Sequence, residues 1–329
     1  MPERLGPPLA APLFRRVAIV GLGLIGSSII RAARHLGLAD TLVAIDRDEG
    51  VVARVRELNL ADEATTELAG VRGADFVILC VPVGACGAVA QALRPHLLAG
   101  CIVSDVGSVK GSVVAQVQPH LPEGVAFVPA HPVAGTEHSG PDAGFATLFH
   151  NRWCILTPPE GTDEAAIDRV RAFWAALGSN VEVMSAQHHD LVLAITSHVP
   201  HLIAYNIVGT AADLETVTQS EVIKFSAGGF RDFTRIAASD PTMWRDVFLH
   251  NKDAVLEMLG RLNEDIALLA RAIRWGEGDK LFDLFTRTRA IRRGIISSGQ
   301  ETAEPDFGRR REVEPDKASE TGPEPRPGA

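Results

Sequence analysis

Short runs of apolar, largely β-branched residues alternate with amphipathic segments through the first half of the chain. The runs lack polar alternation, which is typical of strands buried on both faces of a sheet. They lie at 17–22, 41–46, 75–81, 101–106, 125–130 and 153–157. Helical patterns between them cover 24–36, 49–58, 83–95 and 109–117. This alternation predicts an α/β fold with a doubly wound parallel sheet.

Helical periodicity dominates the second half, from about residue 163 to about residue 296. One short strand is predicted at 181–184, and the segment 252–273 carries apolar residues at the i, i+3, i+4, i+7 spacing of an amphipathic helix. Several helices are apolar around most of their circumference, which predicts burial in a dimer. The expected division is a flexible arm at 1–14, an α/β domain at 15–160, a connecting helix and strand at 161–184, an all-helical domain at 185–298 and a disordered tail at 299–329.

Composition narrows the classes of partner. The 329 residues carry a formal net charge of −9, which argues against nucleic acid as a partner. The most apolar stretch, from Leu191 to Leu214, is interrupted by His198, Pro200 and His201, so we interpret it as a buried helix of a soluble protein and expect no membrane association. The four cysteines are scattered, as reduced core residues of a cytoplasmic protein would be.

The first predicted strand runs directly into a GxGxxG motif that opens a helix, as a dinucleotide site requires. Gly21 permits the tight turn, Gly23 lets the backbone approach a pyrophosphate, and Gly26 lets the helix pack on the strand. Asp46 ends the second strand and would accept hydrogen bonds from the adenosine ribose, which favours NAD. Arg47 follows it and would tolerate a 2′-phosphate, so NADP is the less favoured alternative.

Two further loops follow strand ends, where ligands of open parallel sheets bind. Val81 and Pro82 belong to one loop and Ser108 to the other. Pro82 could instead only terminate its strand, and Ser108 could cap the following helix. The residues predicted to contact the cofactor are Gly21, Gly23, Leu24, Ile25, Gly26, Asp46, Arg47, Val81, Pro82 and Ser108.

Three segments carry candidate chemistry for hydride transfer. His131 follows the fifth strand run and would serve as the base for a hydroxyl proton, although a histidine bonded to a loop backbone is the alternative. His198 and His201 share one helix face, which Pro200 should kink, but no carboxylate or cysteine completes a metal site. We expect Arg235 to be buried and to bind a substrate carboxylate; the alternative is an internal ion pair.

Five ordered motifs, spanning residues 15–296, resemble the prephenate/arogenate dehydrogenases of tyrosine biosynthesis. They are GLGLIGSS, DVGSVK, HPVAGTE, SHVPH and GFRDFTR. The resemblance implies a Rossmann domain followed by a helical dimerisation domain. It also implies oxidative decarboxylation of prephenate to 4-hydroxyphenylpyruvate with NAD+, or of arogenate to tyrosine.

The resemblance assigns roles to matching positions. His131 would take the proton of the ring C4 hydroxyl, Ser108 would bond the same hydroxyl and His131, and Arg235 would hold the ring carboxylate. Other residues are expected to line the substrate side: Thr136, Glu137, Ser197 and His201. No chorismate mutase segment or ligand-binding regulatory domain is evident, so we expect a monofunctional homodimer with little allosteric control by tyrosine. The more distant alternatives are a 3-hydroxyacid-type dehydrogenase, which usually uses a lysine base, and a non-catalytic NAD sensor.

Overall fold

The computed structural model describes residues 6–136, 138–218 and 228–297 of the chain. Six parallel strands form one sheet in the order β3-β2-β1-β4-β5-β6, which confirms the predicted doubly wound architecture. The strands are β1 (Phe14–Val20), β2 (Ala39–Ile45), β3 (Glu63–Thr65), β4 (Phe76–Leu79), β5 (Ile102–Asp105) and β6 (Ala126–Phe127). The sequence pattern missed β3, a three-residue edge strand.

Helices cover both faces of this sheet, as its apolar strands require. They are α1 (Leu24–Leu36), α2 (Glu49–Glu57), α3 (Cys86–Leu93) and α4 (Gly111–Val117). Along β1, Val17 and Ile19 enter one core while Ala18 and Val20 enter the other. Both faces of a strand are therefore buried, which explains why its sequence shows no polar alternation.

The run at 125–130 does not form the single strand that was predicted. Two of its residues form β6 in the main sheet. Its last residue begins β7 (Ala130–Pro132), which belongs to a second sheet. Pro129 lies between the two strands and has no N–H with which to continue the first ladder. In the second sheet β7 pairs antiparallel with β8 (Trp153–Leu156), and β8 pairs parallel with β9 (Asn180–Val183).

The rest of the described chain is mainly helical. Its helices are α5 (Glu164–Ala176), α6 (Ala186–Leu193), α7 (Val199–Thr218), α8 (Gly228–Thr234), α9 (Pro241–His250), α10 (Lys252–Arg274) and α11 (Gly278–Ser297). Between α6 and α7, the backbone forms a π-helical turn over Ala194–His198. Pro200 follows that turn, and because it lacks an N–H the preceding hydrogen-bond ladder must rearrange. The predicted distortion is therefore a π turn.

The apolar stretch in this half is less buried than expected. The stretch Ala186–Leu214 is one helical segment that is long and apolar enough to cross a membrane by length and composition, a test that core helices of soluble proteins also pass. Only 28% of its most apolar window is buried within one chain. Towards its end Ala204 and Ala211 are buried, whereas Ile207 and Leu214 are exposed.

The described residues divide into two compact units, and the boundary lies between residues 260 and 261. The division falls inside α10, away from the boundaries predicted at 160 and 185. Residues 6–13, predicted to be part of a flexible arm, include Leu9, whose N–H donates to Leu36 O at 2.9 Å at the end of α1. The predicted tail at 299–329 lies outside the described residues.

Candidate active site

The glycine motif forms the turn from β1 into α1, and its three glycines meet different surroundings. Gly21 has a φ of +98°, and a Cβ there would lie 2.4 Å from Cys80 O. A Cβ on Gly26 would lie 2.0 Å from Gly21 O, so this glycine lets the helix approach the turn. A Cβ on Gly23 would meet nothing within 4 Å. The space above Gly23 is therefore open to a ligand, although the turn itself is closely packed.

The residues around this turn fit a dinucleotide. Gly23 is the N-cap residue of α1 and provides no side-chain cap, so no side chain satisfies the first N–H groups of the helix. Asp46 follows β2 and accepts the N–H of Leu22 at 2.7 Å through Oδ2, which holds its carboxylate beside the turn. Arg47 is exposed next to it. A Cβ on Gly21 would lie 3.3 Å from Val81 Cγ1, so the loop that carries Val81 and Pro82 borders the same turn.

Other predicted cofactor residues have mixed positions. Leu24 is buried in the core, and Ile25 packs against that core, so only their backbone groups could face a phosphate. Pro82 is exposed at the start of a short 3-10 turn. Ser108 is half-buried but does not cap α4, which begins at Gly111 after Lys110 without a side-chain cap.

His131 lies within β7, whereas the sequence placed it just past the end of a strand of the main sheet. Its imidazole is 7% exposed, and Nδ1 lies 2.8 Å from His189 Nε2. His189 Nδ1 in turn lies 2.8 Å from Asp190 Oδ1. No hydrogen bond joins Ser108 to His131 in the described chain, contrary to the expectation from the resemblance. The three side chains thus form a hydrogen-bonded series that ends on His131.

A buried ion pair anchors β7 to the main sheet. The ammonium group of Lys110 binds the carboxylate of Asp105, which ends β5, and both side chains are fully buried. The same Nζ donates to Ala130 O at 2.7 Å. Because Ala130 precedes His131, this bond fixes the backbone that carries the candidate base near the carboxyl end of β5. Burial raises the pKa of Asp105 even though Lys110 opposes the shift.

Burial keeps the histidines of the site neutral. It lowers the pKa of His131 well below its usual value, and neighbouring His189 and Lys110 act in the same direction. Burial also lowers the pKa of His189, against the opposing effect of Asp190. An unprotonated imidazole is the form that a general base requires.

A second group of aromatic side chains lies beside this series. His198 is fully buried, burial lowers its pKa to about 4, and its Nδ1 accepts from Asn251 Nδ2 at 3.1 Å. These contacts favour a structural role for His198. His201 stacks on Trp244 with ring centroids 3.6 Å apart, and its Nδ1 donates to Ser197 O at 2.8 Å. In neutral His201, Nε2 therefore carries the lone pair.

The expectation that Arg235 is buried is wrong for the described chain. Arg235 and its neighbours Arg231, Asp232 and Phe233 are exposed. Arg235 nevertheless lies close enough to His201 for its charge to lower the pKa of that histidine, after the larger effect of burial. The two predicted substrate residues therefore share a region, but Arg235 lies at its exposed side.

The remaining predicted substrate residues are Thr136, Ser197 and Glu137. Thr136 is half-buried, and its Oγ1 accepts the N–H of His138 at 3.2 Å. Ser197 is half-buried in the π turn. Glu137 lies outside the described residues. Among those residues, no group of three or more histidine, cysteine, aspartate or glutamate side chains could hold a metal ion.

Sequence reasoning missed the residues that support His131. Asp105 and Lys110 lie in a loop that it singled out, but a charged pair five residues apart does not disclose that it is buried. His189 and Asp190 stand in the tripeptide His188-His189-Asp190 at the start of a helix, and this adjacent imidazole and carboxylate was the available signal.

Comparisons with known proteins identify one family of dehydrogenases. The family model described as the nucleotide-binding domain of prephenate dehydrogenase matches residues 29–183, and the one described as its dimerization domain matches residues 185–287. The chain is 44% identical to a cyclohexadienyl dehydrogenase of Zymomonas mobilis over 281 residues, which is 85% of this chain and 96% of that protein. It is 34% identical to a prephenate dehydrogenase of Bacillus subtilis over 85% of this chain and 76% of that protein.

Solved structures extend the agreement to the whole fold. A prephenate dehydrogenase from Aquifex aeolicus, crystallised with hydroxyphenyl propionate and NAD+, matches with a TM-score of 0.81 and 34% identity over 85% of this chain and 98% of that chain. An arogenate dehydrogenase from Synechocystis matches with a TM-score of 0.73 and 27% identity over 85% and 99%. The two family models together cover the nucleotide-binding half and the helical half, and each of these relatives covers both. The chain belongs to the prephenate dehydrogenase family.

Proposed function

We propose that this chain is an NAD+-dependent dehydrogenase that converts prephenate to 4-hydroxyphenylpyruvate and CO2 for tyrosine biosynthesis. The proposal rests on the surroundings of His131. Its Nδ1 bonds His189, while its Nε2 has no hydrogen-bond partner among the described residues. A neutral imidazole with a free Nε2 is suited to accept the proton of a ring hydroxyl.

The chain's own residues would bind the cofactor and position the substrate. The turn at Gly21, Gly23 and Gly26, with Asp46 beside it, offers open space and a carboxylate for a dinucleotide. Bound there, NAD+ would supply the acceptor for the hydride that leaves ring C4. Loss of the ring carboxylate as CO2 then makes the ring aromatic, which supplies the driving force.

The substrate side is proposed from position and charge. Arg235 and His201 would receive a substrate carboxylate, since a guanidinium at the exposed side of a histidine-lined region attracts anions. Ser108, Thr136, Glu137 and Ser197 are proposed to line the same side. Each of these roles is a proposal carried from the family motifs onto matching positions.

A dual specificity for prephenate and arogenate is the second candidate function. It is favoured by the 44% identity to a protein named cyclohexadienyl dehydrogenase, a name that covers both ring acids. We further propose that the chain acts as a cytoplasmic homodimer through its helical half, whose match is to a dimerization domain.

Parallel assays of NADH formation with prephenate and with arogenate test the function. We expect turnover on prephenate, and comparable kcat/KM on arogenate if specificity is dual. Repeating both assays with NADP+ measures the cofactor preference expected from Asp46. Absence of NADH from both substrates, with NAD+ binding intact, would favour a non-catalytic NAD-binding protein.

A further inference from the structure

We propose that His189 and Asp190 are positioning residues that hold His131 in the tautomer with hydrogen on Nδ1 and a lone pair on Nε2. The inference rests on the proposed function in that it treats Nε2 as the base. Its geometric part concerns only this chain's own side chains.

The carboxylate of Asp190 is surrounded by hydrogen-bond donors. Oδ1 accepts the N–H of Lys110 at 2.8 Å, and Oδ2 accepts the N–H of Gly111 at 2.8 Å. Burial alone would raise the pKa of Asp190, but bonds from His189 and the two amides outweigh it and leave the pKa below its ordinary value. Asp190 is therefore ionised near neutral pH and can only accept hydrogen bonds.

An ionised Asp190 determines the tautomer of its neighbour. His189 Nδ1 lies 2.8 Å from Asp190 Oδ1, so this nitrogen must carry the hydrogen. His189 is fully buried and neutral, which leaves Nε2 with a lone pair.

The tautomer of His189 in turn determines that of His131. His131 Nδ1 lies 2.8 Å from that lone pair and must donate to it. Nε2 of His131 is then the atom without hydrogen. The neighbours reinforce this orientation, because Lys110 holds the Ala130 carbonyl while its backbone N–H binds Asp190.

The series also supports the charge that forms on His131. When Nε2 takes a proton from a substrate O–H group, the oxygen keeps the bonding electrons and the imidazole becomes positive. The charged and titratable groups that face this series are Asp105, Lys110, His189, Asp190 and His198. Because Lys110 is paired with Asp105, Asp190 is the carboxylate available to balance the new charge through His189.

Asp190→Asn is the sharpest test. The amide is neutral, so it cannot balance a positive charge on the imidazole, and its one oxygen cannot accept from all three donors. At the Oδ1 position that oxygen still accepts from Lys110 N–H and from His189, while the NH2 group faces the N–H of Gly111. We expect kcat to fall by about 10²–10⁴ while KM for NAD+ stays within about twofold. The acid limb of the kcat–pH profile should move to lower pH, because the imidazolium loses its carboxylate support.

Variants at His189 keep the test decisive if Asp190→Asn does not fold. His189→Gln retains an acceptor for His131 Nδ1 and should keep kcat within about tenfold, whereas His189→Leu should lose about 100-fold. His188→Gln is the matched control, because His188 is adjacent and exposed. It should leave kcat and its pH profile unchanged.

Nitrogen-15 spectra of histidine-labelled protein without substrate supply a readout that is independent of turnover. We expect hydrogen on Nδ1 of His131 in the parent protein and on Nε2 in His189→Leu, which offers Nδ1 no acceptor. Retention of the Nδ1 hydrogen in His189→Leu, or a kcat of Asp190→Asn within threefold of the parent, would overturn the proposal. If the parent protein itself fails to turn over either substrate, the proposed function fails, and the spectra still decide the tautomer.

Discussion

At the scale of single residues, the candidate base is defined by its neighbours. An isolated histidine after a strand run could serve many purposes, but His131 is buried and bonded on one nitrogen only. Replacing it with asparagine removes the titrating nitrogen while leaving an amide that can still donate to His189. We expect His131→Asn to lower kcat by about 10²–10⁴ with KM for NAD+ nearly unchanged. Steady-state kinetics with His188→Asn as control measure this, and turnover within threefold of the parent would exclude His131 as the base.

Arg235 gives a second prediction at this scale. Because Arg235 is exposed, its pairing with a substrate carboxylate is partly screened, and the loss should be smaller than for a buried pair. We expect Arg235→Gln to raise KM for prephenate by about tenfold, or about 1.4 kcal/mol, with little change in kcat. Arg231→Gln, an exposed arginine four residues away, should leave KM unchanged. Equal effects of the two variants would indicate general electrostatic attraction only.

Sequence reasoning reached some of these residues and missed others for physical reasons. His131 and Arg235 stand in motifs of unusual composition, so their chemistry is visible along the chain. Their surroundings depend on contacts over long sequence separations, such as the separation of 58 positions from His131 to His189. No local pattern encodes such a contact. The error about Arg235 has the same origin, since apolar neighbours along the chain do not ensure burial.

At the scale of secondary structure, strands of the main sheet follow their apolar runs closely, because burial on both faces leaves little choice of residue. The run at 125–130 is the exception. The run is apolar throughout, and its pattern cannot reveal that Pro129 separates β6 from β7 and thus two sheets. The consequence is functional, because the change of sheet places His131 within β7, where it bonds to His189.

The turn from β1 into α1 allows a matched pair of substitutions. A Cβ at position 23 meets open space, whereas a Cβ at position 26 would overlap Gly21 O. We expect the unfolding temperature of Gly23→Ala to lie within a few degrees of that of the parent, because alanine at an N-cap costs about 1 kcal/mol or less. The same variant should bind NAD+ at least tenfold more weakly. Gly26→Ala should instead lower the unfolding temperature markedly. Calorimetry and NAD+ titration separate the outcomes, and unchanged affinity in Gly23→Ala would contradict a pyrophosphate at this turn.

At the scale of the whole molecule, the second half of the chain exposes large apolar side chains. Trp275 is 71% exposed and Phe282 is 70% exposed, and such exposure of large apolar side chains is unfavourable in a monomer. We expect light scattering to give twice the 35.1 kDa mass of one chain. Phe282→Asp should shift the mass toward a single chain, whereas Leu98→Asp, at an exposed apolar residue of the sheet half, should not. A parent protein with the mass of one chain at micromolar concentration would contradict the dimer.

The neutral histidines make a further prediction about the stability of the whole molecule. Burial lowers the pKa of His131, His189, His198 and His201 below the value of about 6.5 expected in the unfolded chain. As pH falls below 6.5, the histidines of the unfolded chain bind protons that those of the native state do not bind. The free energy of unfolding therefore falls with pH by about 1.4 kcal/mol per pH unit for each such histidine. For His198 this window extends down to about pH 4.

Urea unfolding at fixed chain concentration between pH 6.5 and 4.5 measures this slope. His198→Asn offers an acceptor to Asn251 in place of Nδ1 but does not titrate, so the slope should decrease by about one proton. The lowered pKa of Asp190 contributes in the same direction only at lower pH, because its unfolded value is about 3.9. An unchanged slope in His198→Asn would show that the pKa of this histidine is not lowered in the native state, against the effect expected from its full burial.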